Sequence, residues 1–201
     1  MAVIWFVSLC KIMVKNKIRK SLLEQGRFLP KDFFDKYNQK IQETALNEID
    51  LVSSKNNLLY FPYKREVKLN LLINEINSNS NNIYMPRIFS DMKMKFNLLS
   101  EDSVLKTNRY GIKEIDSPKY LEPSLFNTMF IPLVGVDKYG YRLGYGEGYF
   151  DRALEGIRLL KTKPLIVGMG FDYQVINEEF GMEHDMQYDI VITETRILSY
   201  L

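Results

Sequence analysis

Arg142-Leu143-Gly144-Tyr145-Gly146-Glu147-Gly148-Tyr149-Phe150-Asp151-Arg152 is the stretch from which the rest of this 201-residue chain is best read. Three glycines at alternate positions follow an apolar run, Met129 to Val136, and precede a helical pattern, Tyr149 to Leu160. A strand that delivers a glycine-rich turn to a helix N-terminus is a recurrent phosphate cradle: glycine lets backbone N–H groups approach an anion, and the helix dipole favours negative charge there. Arg142 and Arg152 add charge-assisted donors at either end. Asp151 brings a carboxylate able to hold a magnesium ion carried by a nucleotide. By residue chemistry this is a nucleotide site. The same spacing also suits a turn built for close packing, and a glycine motif alone does not separate the two.

Working outward, the second half alternates strand and helix. Apolar runs at Met129 to Val136, Leu165 to Phe171 and Tyr188 to Thr193 are spaced by the glycine block and the Tyr149 to Leu160 helix. That order predicts an α/β domain with a largely parallel sheet flanked by helices, whose ligands lie beyond the carboxyl ends of the strands. In the first half, helices are predicted over Lys15 to Phe28, from Pro30 along the stripe Phe33, Tyr37, Ile41, Ala45 and Ile49, and over Leu69 to Ile76. Strands are expected at Leu58 to Phe61, at Ile83 to Ile88 and through the alternation of Met92, Met94, Phe96 and Leu98. Pro86 places its strand at an edge or a strand end.

Composition narrows the classes. Hydrophobic residues at 46% and charged residues at 26% are those of a globular domain. A net charge of +2 argues against a dedicated nucleic-acid binder. Charge is nevertheless segregated: Lys11 to Lys40 holds nine basic residues against Glu24, Asp32 and Asp35, and Pro164 to Thr195 holds seven carboxylates without a Lys or Arg. Two solvated faces of opposite sign, or one site needing both phosphate and metal ligands, would produce this pattern. Cys10 is the sole cysteine, which excludes an intrachain disulfide and makes a reducing cytoplasm the expected location. The apolar run Ala2 to Cys10 is too short to span a bilayer and lacks a charged region before it, so no membrane association is expected. Residues 1–12 read as an extension arising from an upstream start or packing on the body, with residues 13–201 forming a single domain.

Pro132, Asp137, Gly140 and the string from Arg142 to Arg152 closely resemble the signature of the 5-formyltetrahydrofolate cyclo-ligases, also called methenyltetrahydrofolate synthetases. The resemblance extends from Lys15 to Glu194 and implies a Rossmann-like sheet in a single domain. Lys15-Asn16-Lys17-Ile18-Arg19 resembles the N-terminal pattern with which that family contacts ATP; on spacing alone, Lys15 and Arg19 share one helix face that can equally be solvated. By the same resemblance, ATP would be bound by Lys15, Arg19, Arg142 and the run Leu143, Gly144, Tyr145, Gly146, Glu147, Gly148, Tyr149 and Phe150. Phe61 and Glu66 match folate-binding positions, joined by Tyr145, Gly146, Glu147, Gly148 and Tyr149. Asp185, in an Asp-x-x-x-Asp pattern with Asp189, joins Asp151 as a magnesium candidate. Arg142, Lys15 and Arg19 would carry catalysis.

The sequence departs from the family pattern in a few places. Ile115 replaces a usual proline after Tyr110-Gly111-Ile112-Lys113-Glu114, Phe150 a common tyrosine and Val136 a common phenylalanine. Glu147 adds a carboxylate near the proposed phosphates. Asp137 reads as a turn residue, Gln174 matches a family position without an assigned role, and His184 is unassigned.

The resemblance implies ATP- and Mg2+-dependent conversion of the reduced folate 5-formyltetrahydrofolate to 5,10-methenyltetrahydrofolate with release of ADP and phosphate. The formyl oxygen would be phosphorylated, and the neighbouring amine would attack the carbon. Such chemistry needs positioning and charge stabilisation rather than a protein nucleophile. That suits a chain with a single His and a single Cys. Two rivals are a sugar-phosphate isomerase on a similar scaffold and an RNA-binding module using Tyr139, Tyr141, Tyr145 and Tyr149. A monomer is expected, with a dimer as the alternative.

Overall fold

A computed structural model describes the backbone from Ala2 onward and the side chains of Lys11 to Leu201. The side chains of the apolar run Ala2 to Cys10 lie outside the described residues. Helix α1 spans Ala2–Phe28. After Pro30, extended at the N-cap, α2 runs Lys31–Glu48. Its buried face is Phe34, Asn38, Ile41, Gln42 and Ala45, one residue round from the stripe expected at its start. Phe33 and Tyr37 instead flank that face, with Phe33 5.6 Å from the Phe171 ring. The buried amides are not orphaned. Asn38 Oδ1 accepts the Lys68 amide and Gln42 Oε1 the Leu71 amide, satisfying backbone donors around the start of α3, Asn70–Ser78.

The strands are β1 Asn56–Leu58, β2 Asn82–Ile88, β3 Met94–Leu99, β4 Leu105–Thr107, β5 Lys113–Ile115 and β6 Tyr120–Leu121. They continue with β7 Thr128–Pro132, β8 Gly135–Val136, β9 Arg142–Leu143, β10 Leu165–Met169, β11 Ile190–Ile192 and β12 Ile197–Ser199. The main sheet has the order β12-β11-β10-β7-β1-β2-β3-β6. From β11 to β2 every neighbour is parallel, and β12, β3 and β6 add antiparallel wings. The α/β fold with a large, mostly parallel sheet is therefore as expected. Pro86 sits in β2 opposite Phe96, beyond the last β1 partner at Tyr84, so its missing N–H breaks no β1 ladder.

Alternate side chains feed two cores. Leu59, Phe130 and Val167 pack with α2 and α3 on one face, while Leu58, Met129, Ile131 and Ile166 pack with Phe150, Leu154 and Tyr188 on the other. Among the described residues no helix is long and apolar enough to cross a membrane.

Several boundaries differ from the sequence reading, and α1 begins at Ala2 rather than at Lys15. The strand expected from Leu58 ends there, and Leu59 to Phe61 leave the sheet as a largely buried segment. The Met129 to Val136 run breaks after Pro132, and a β8–β9 hairpin intervenes before the glycine block. The helix expected through Leu160 is only α4, Tyr149–Ala153. Leu154 caps it at φ −109°, and Gly156, left-handed at φ 75°, turns the chain into a 3-10 turn at Ile157–Leu159. Leu154 and Ile157 still pack into the second core, but Leu159 is 89% exposed, so the apolar period loses its core beyond the 3-10 turn.

Candidate active site

The chain places β2 on one side of β1 and then crosses to the other side for β7, so the topological switch lies between the carboxyl ends of β1 and β7. A cavity of about 1260 Å³ opens there. β1 feeds it Tyr60, Phe61 and Glu66, β7 and β9 feed Pro132 and Arg142, and α1 reaches in with Lys15 and Arg19. Lys15, Arg19, Phe61, Glu66, every residue from Arg142 to Asp151, and Asp185 line this one cavity. The structure brings all of the expected site residues together.

Arg142 is the best anchored. It is 8% exposed, and its Nε donates to the Pro132 carbonyl at 2.8 Å. Its guanidinium lies 5.1 Å from the Phe150 ring centre and 3.8 Å from Asp151 Oδ2. A Cβ on Gly144 would fall 2.5 Å from Arg142 Nη1, so the second glycine requirement here is close approach rather than dihedral freedom. Gly144→Ala must displace that side chain. With a displacement near 1 Å, we expect turnover to fall about 100-fold, with the melting temperature little changed, as steady-state rates and a thermal melt would read.

Arg19 Nε donates to the Gly144 carbonyl at 2.7 Å and Nη1 to Asn16 at 2.5 Å. Burial, and then the like charge of Arg142, pull Arg19 below its ordinary value, but a guanidinium remains charged throughout the physiological range. Two neighbouring, partly desolvated cations facing one cavity are stabilised by an anion between them. Lys15 Nζ sits 2.6 Å from both oxygens of Asp185, and Asp185 Oδ2 also accepts the Met182 amide. Asp151 Oδ1 accepts the Met186 amide at 3.1 Å.

Among the described residues no three His, Cys, Asp or Glu side chains cluster as a metal cage. Asp151 and Asp185 are two carboxylates lining the same cavity, each already accepting a backbone amide.

The same cavity also has an aromatic and apolar lining. Pro86, Ile88 and Met94 line it beside Phe61. The Tyr63 and Tyr145 rings meet edge to face at 5.3 Å, and Lys64 Nζ lies 4.5 Å from the Tyr63 ring centre. Glu66 Oε2 accepts the Tyr63 amide at 2.8 Å. Burial pushes the Glu66 carboxyl up from 4.5 to about 7, against the pull of the Tyr63 amide, Arg142 and Lys64. Burial, then Glu66, also raises the Tyr145 phenol.

Two expectations about the glycine block need correction. Arg152 turns back onto its own loop: Nη2 donates to the Glu147 carbonyl at 2.7 Å and Nε to that of Met92. It braces the glycine block instead of standing free for phosphate. The block also enters a five-residue helix, so the cations rather than a long helix dipole supply the positive field. Glu147 is exposed and, among the described residues, makes no ion pair. Asp137 and Gln174 are buried structural acceptors. Asp137 takes the Tyr139, Tyr141, Phe180 and Gly181 amides, and Gln174 takes the Phe171 amide. His184 is an exposed rim residue. Asn108 and Tyr110 of the β4–β5 hairpin line the cavity without having been assigned a role; the Tyr110-Gly111-Ile112 element was their only signal.

A cation-lined cleft at the switch point of an α/β sheet is where enzymes of this architecture bind their ligands. The chain belongs to the 5-formyltetrahydrofolate cyclo-ligase family, whose model matches residues 11–194, and it is an enzyme of that class. It is 31% identical over 150 residues to the 5-formyltetrahydrofolate cyclo-ligase of Haemophilus influenzae, covering 73% of this chain and 79% of that one. It is 30% identical to the Mycoplasma genitalium cyclo-ligase, covering 89% and 96%. The 5,10-methenyltetrahydrofolate synthetase structure from Aquifex aeolicus superimposes with a TM-score of 0.78 at 25% identity, covering 93% of both chains. That from Mycoplasma pneumoniae gives 0.72 at 26%, covering 90% and 98%.

Proposed function

We propose that this enzyme converts 5-formyltetrahydrofolate and ATP, with Mg2+, into 5,10-methenyltetrahydrofolate, ADP and phosphate. The observation that carries this is one cavity whose lining combines Lys15, Arg19 and Arg142 with Glu66, which lies within the electrostatic reach of Arg142, and with an apolar and aromatic wall. Two chemically unlike substrates can meet in such a cavity. Arg142, clamped through Nε, presents its remaining nitrogens to a phosphoryl group without reorganising. Arg19 and Lys15 complete the grip, Lys15 exchanging Asp185 for phosphate oxygen. Asp151 and Asp185 would hold the magnesium ion, which supplies neutralisation of phosphate charge. Glu66 accepts pterin N–H donors, and Phe61, Tyr145 and Tyr149 cover the ring.

The formyl oxygen attacks the γ-phosphorus, ADP leaves, and the adjacent secondary amine adds to the activated carbon. Expulsion of phosphate and loss of the amine proton close the ring. No side chain forms a covalent bond. A rise in methenyltetrahydrofolate absorbance that requires folate, ATP and Mg2+ together tests the reading. Phosphate-substrate turnover without ATP would favour an isomerase, and salt-sensitive RNA binding without ATP consumption would favour the RNA module. The expected monomer is checked by sedimentation and the cytoplasmic location by fractionation.

Glu66 adds a pH test. With its carboxyl near 7, the free enzyme holds the proton on this group at lower pH and must lose it to accept pterin N–H donors. Folate KM should therefore fall as pH rises through about 7 and level off above it. Glu66→Gln should abolish that step and raise folate KM about 10–100-fold, the size of a hydrogen bond to a charged group. Stability runs the other way. The raised value means the folded chain binds this proton more tightly than the unfolded one, so Glu66's contribution is full below 4.5 and is lost as pH rises through about 7.

A further inference from the structure

The β4–β5 hairpin stands outside the main sheet as a separate two-stranded ribbon, yet its tip forms part of the cavity wall. Its base is fixed by Glu114, a 9% exposed carboxylate that accepts the Ile88 amide at the end of β2 and the Asn108 side-chain amide. Asn108 Oδ1 in turn accepts the Tyr110 and Ile112 amides, and its own N–H donates to the Ile112 carbonyl. The tip is thus a pinned loop. From it Arg109 Nη2 donates to the Tyr149 hydroxyl at 2.6 Å, while its guanidinium lies 4.9 Å from the Tyr110 ring centre. Tyr149 opens α4 directly after Gly148, is 7% exposed, and has Arg152 5.5 Å from its ring centre. One hydrogen bond therefore joins the apolar wall of the cavity, through Glu114 and Asn108, to the glycine block that faces the cations.

We propose that Arg109 is a positioning residue: by holding Tyr149 it keeps the Gly144 to Gly148 loop closed between the two substrates, so that water is kept from the activated formyl group. The inference rests on the reaction proposed above. Were water admitted, it would attack the phosphorus of the imidate phosphate. The P–O bond to the formyl oxygen would break with its electron pair left on that oxygen, restoring 5-formyltetrahydrofolate, and phosphate would leave. The net change would be ATP and water to ADP and phosphate, with no methenyl product.

The test measures phosphate and methenyltetrahydrofolate in parallel for the full chain and for Arg109→Ala, Arg109→Lys, Tyr149→Phe and the Arg109→Ala/Tyr149→Phe double variant. Arg109 is exposed, so its replacement leaves the core untouched. The parent should release one phosphate per methenyl product. Arg109→Ala and Tyr149→Phe should each lower kcat/KM about tenfold, as for one charge-assisted hydrogen bond, and release more phosphate than product. Arg109→Lys should restore part of the coupling, and the double variant should be no worse than either single one. A merely structural hairpin would lower both yields together and keep their ratio at one, which overturns the proposal while leaving the reaction intact. A parent protein that forms no methenyl product overturns the reaction assignment and the role of Arg109 with it.

Discussion

Arg142→Ala is expected to lower turnover about 1000-fold or more, the range seen when an arginine that stabilises a transferring phosphoryl group is removed. The fold should survive, for a specific reason. The Pro132 carbonyl that Arg142 Nε engages also accepts the Tyr188 hydroxyl at 3.1 Å, so truncation leaves it with a donor. Arg142→Lys keeps the charge but cannot both anchor on Pro132 and present a fork to phosphate, so it should recover little. Single-turnover kinetics with a parallel thermal melt check this. Turnover within threefold of the parent in a folded Arg142→Ala protein would remove this side chain from the chemistry.

The second large effect falls on stability. Asp137 is fully buried, and its two oxygens accept four backbone amides. Tyr139 and Tyr141 lie in the β8–β9 turn, while Phe180 and Gly181 lie in the segment that leads to Asp185. Asp137→Ala would strand all of these donors away from water. We expect a loss of about 3–5 kcal/mol, and a melting temperature lower by roughly 10 °C. Asp137→Asn retains one acceptor oxygen but turns an NH2 group toward two N–H donors, so it should rescue only part of the loss. Urea unfolding of the three proteins decides it: a loss below about 1 kcal/mol for the alanine variant would show that water or a shifted turn satisfies those amides.

How much of this was legible beforehand varies by residue. The α2 stripe was visible because Ile41 and Ala45 repeat at helical spacing, but its rotation toward Phe34 was not, since Phe33 serves equally well until Phe171 is placed beside it. The length of α4 is not legible because apolar spacing runs on through Leu160, whereas the chain leaves the helix at Leu154, turns at the left-handed Gly156 and leaves Leu159 exposed. Arg152 looked identical in promise to Arg142 by position. What separates them is that one is held through Nε with its fork facing Asp151, while the other folds back onto the Glu147 carbonyl.

From the sequence alone came the family, the four helices with the strands β1 to β3, β7, β10 and β11, and the set of side chains competent for phosphate and folate chemistry. These depend on residue identity and local spacing, which the chain states directly. Tertiary structure decided what that set does together. It placed Lys15 against Asp185 across 170 positions of sequence, buried Glu66 enough to move its proton to about 7, and joined Arg109 to Tyr149. Desolvation, like-charge proximity and hydrogen-bond pairing are properties of neighbours in space, and the neighbours are chosen only when β1 and β7 come side by side.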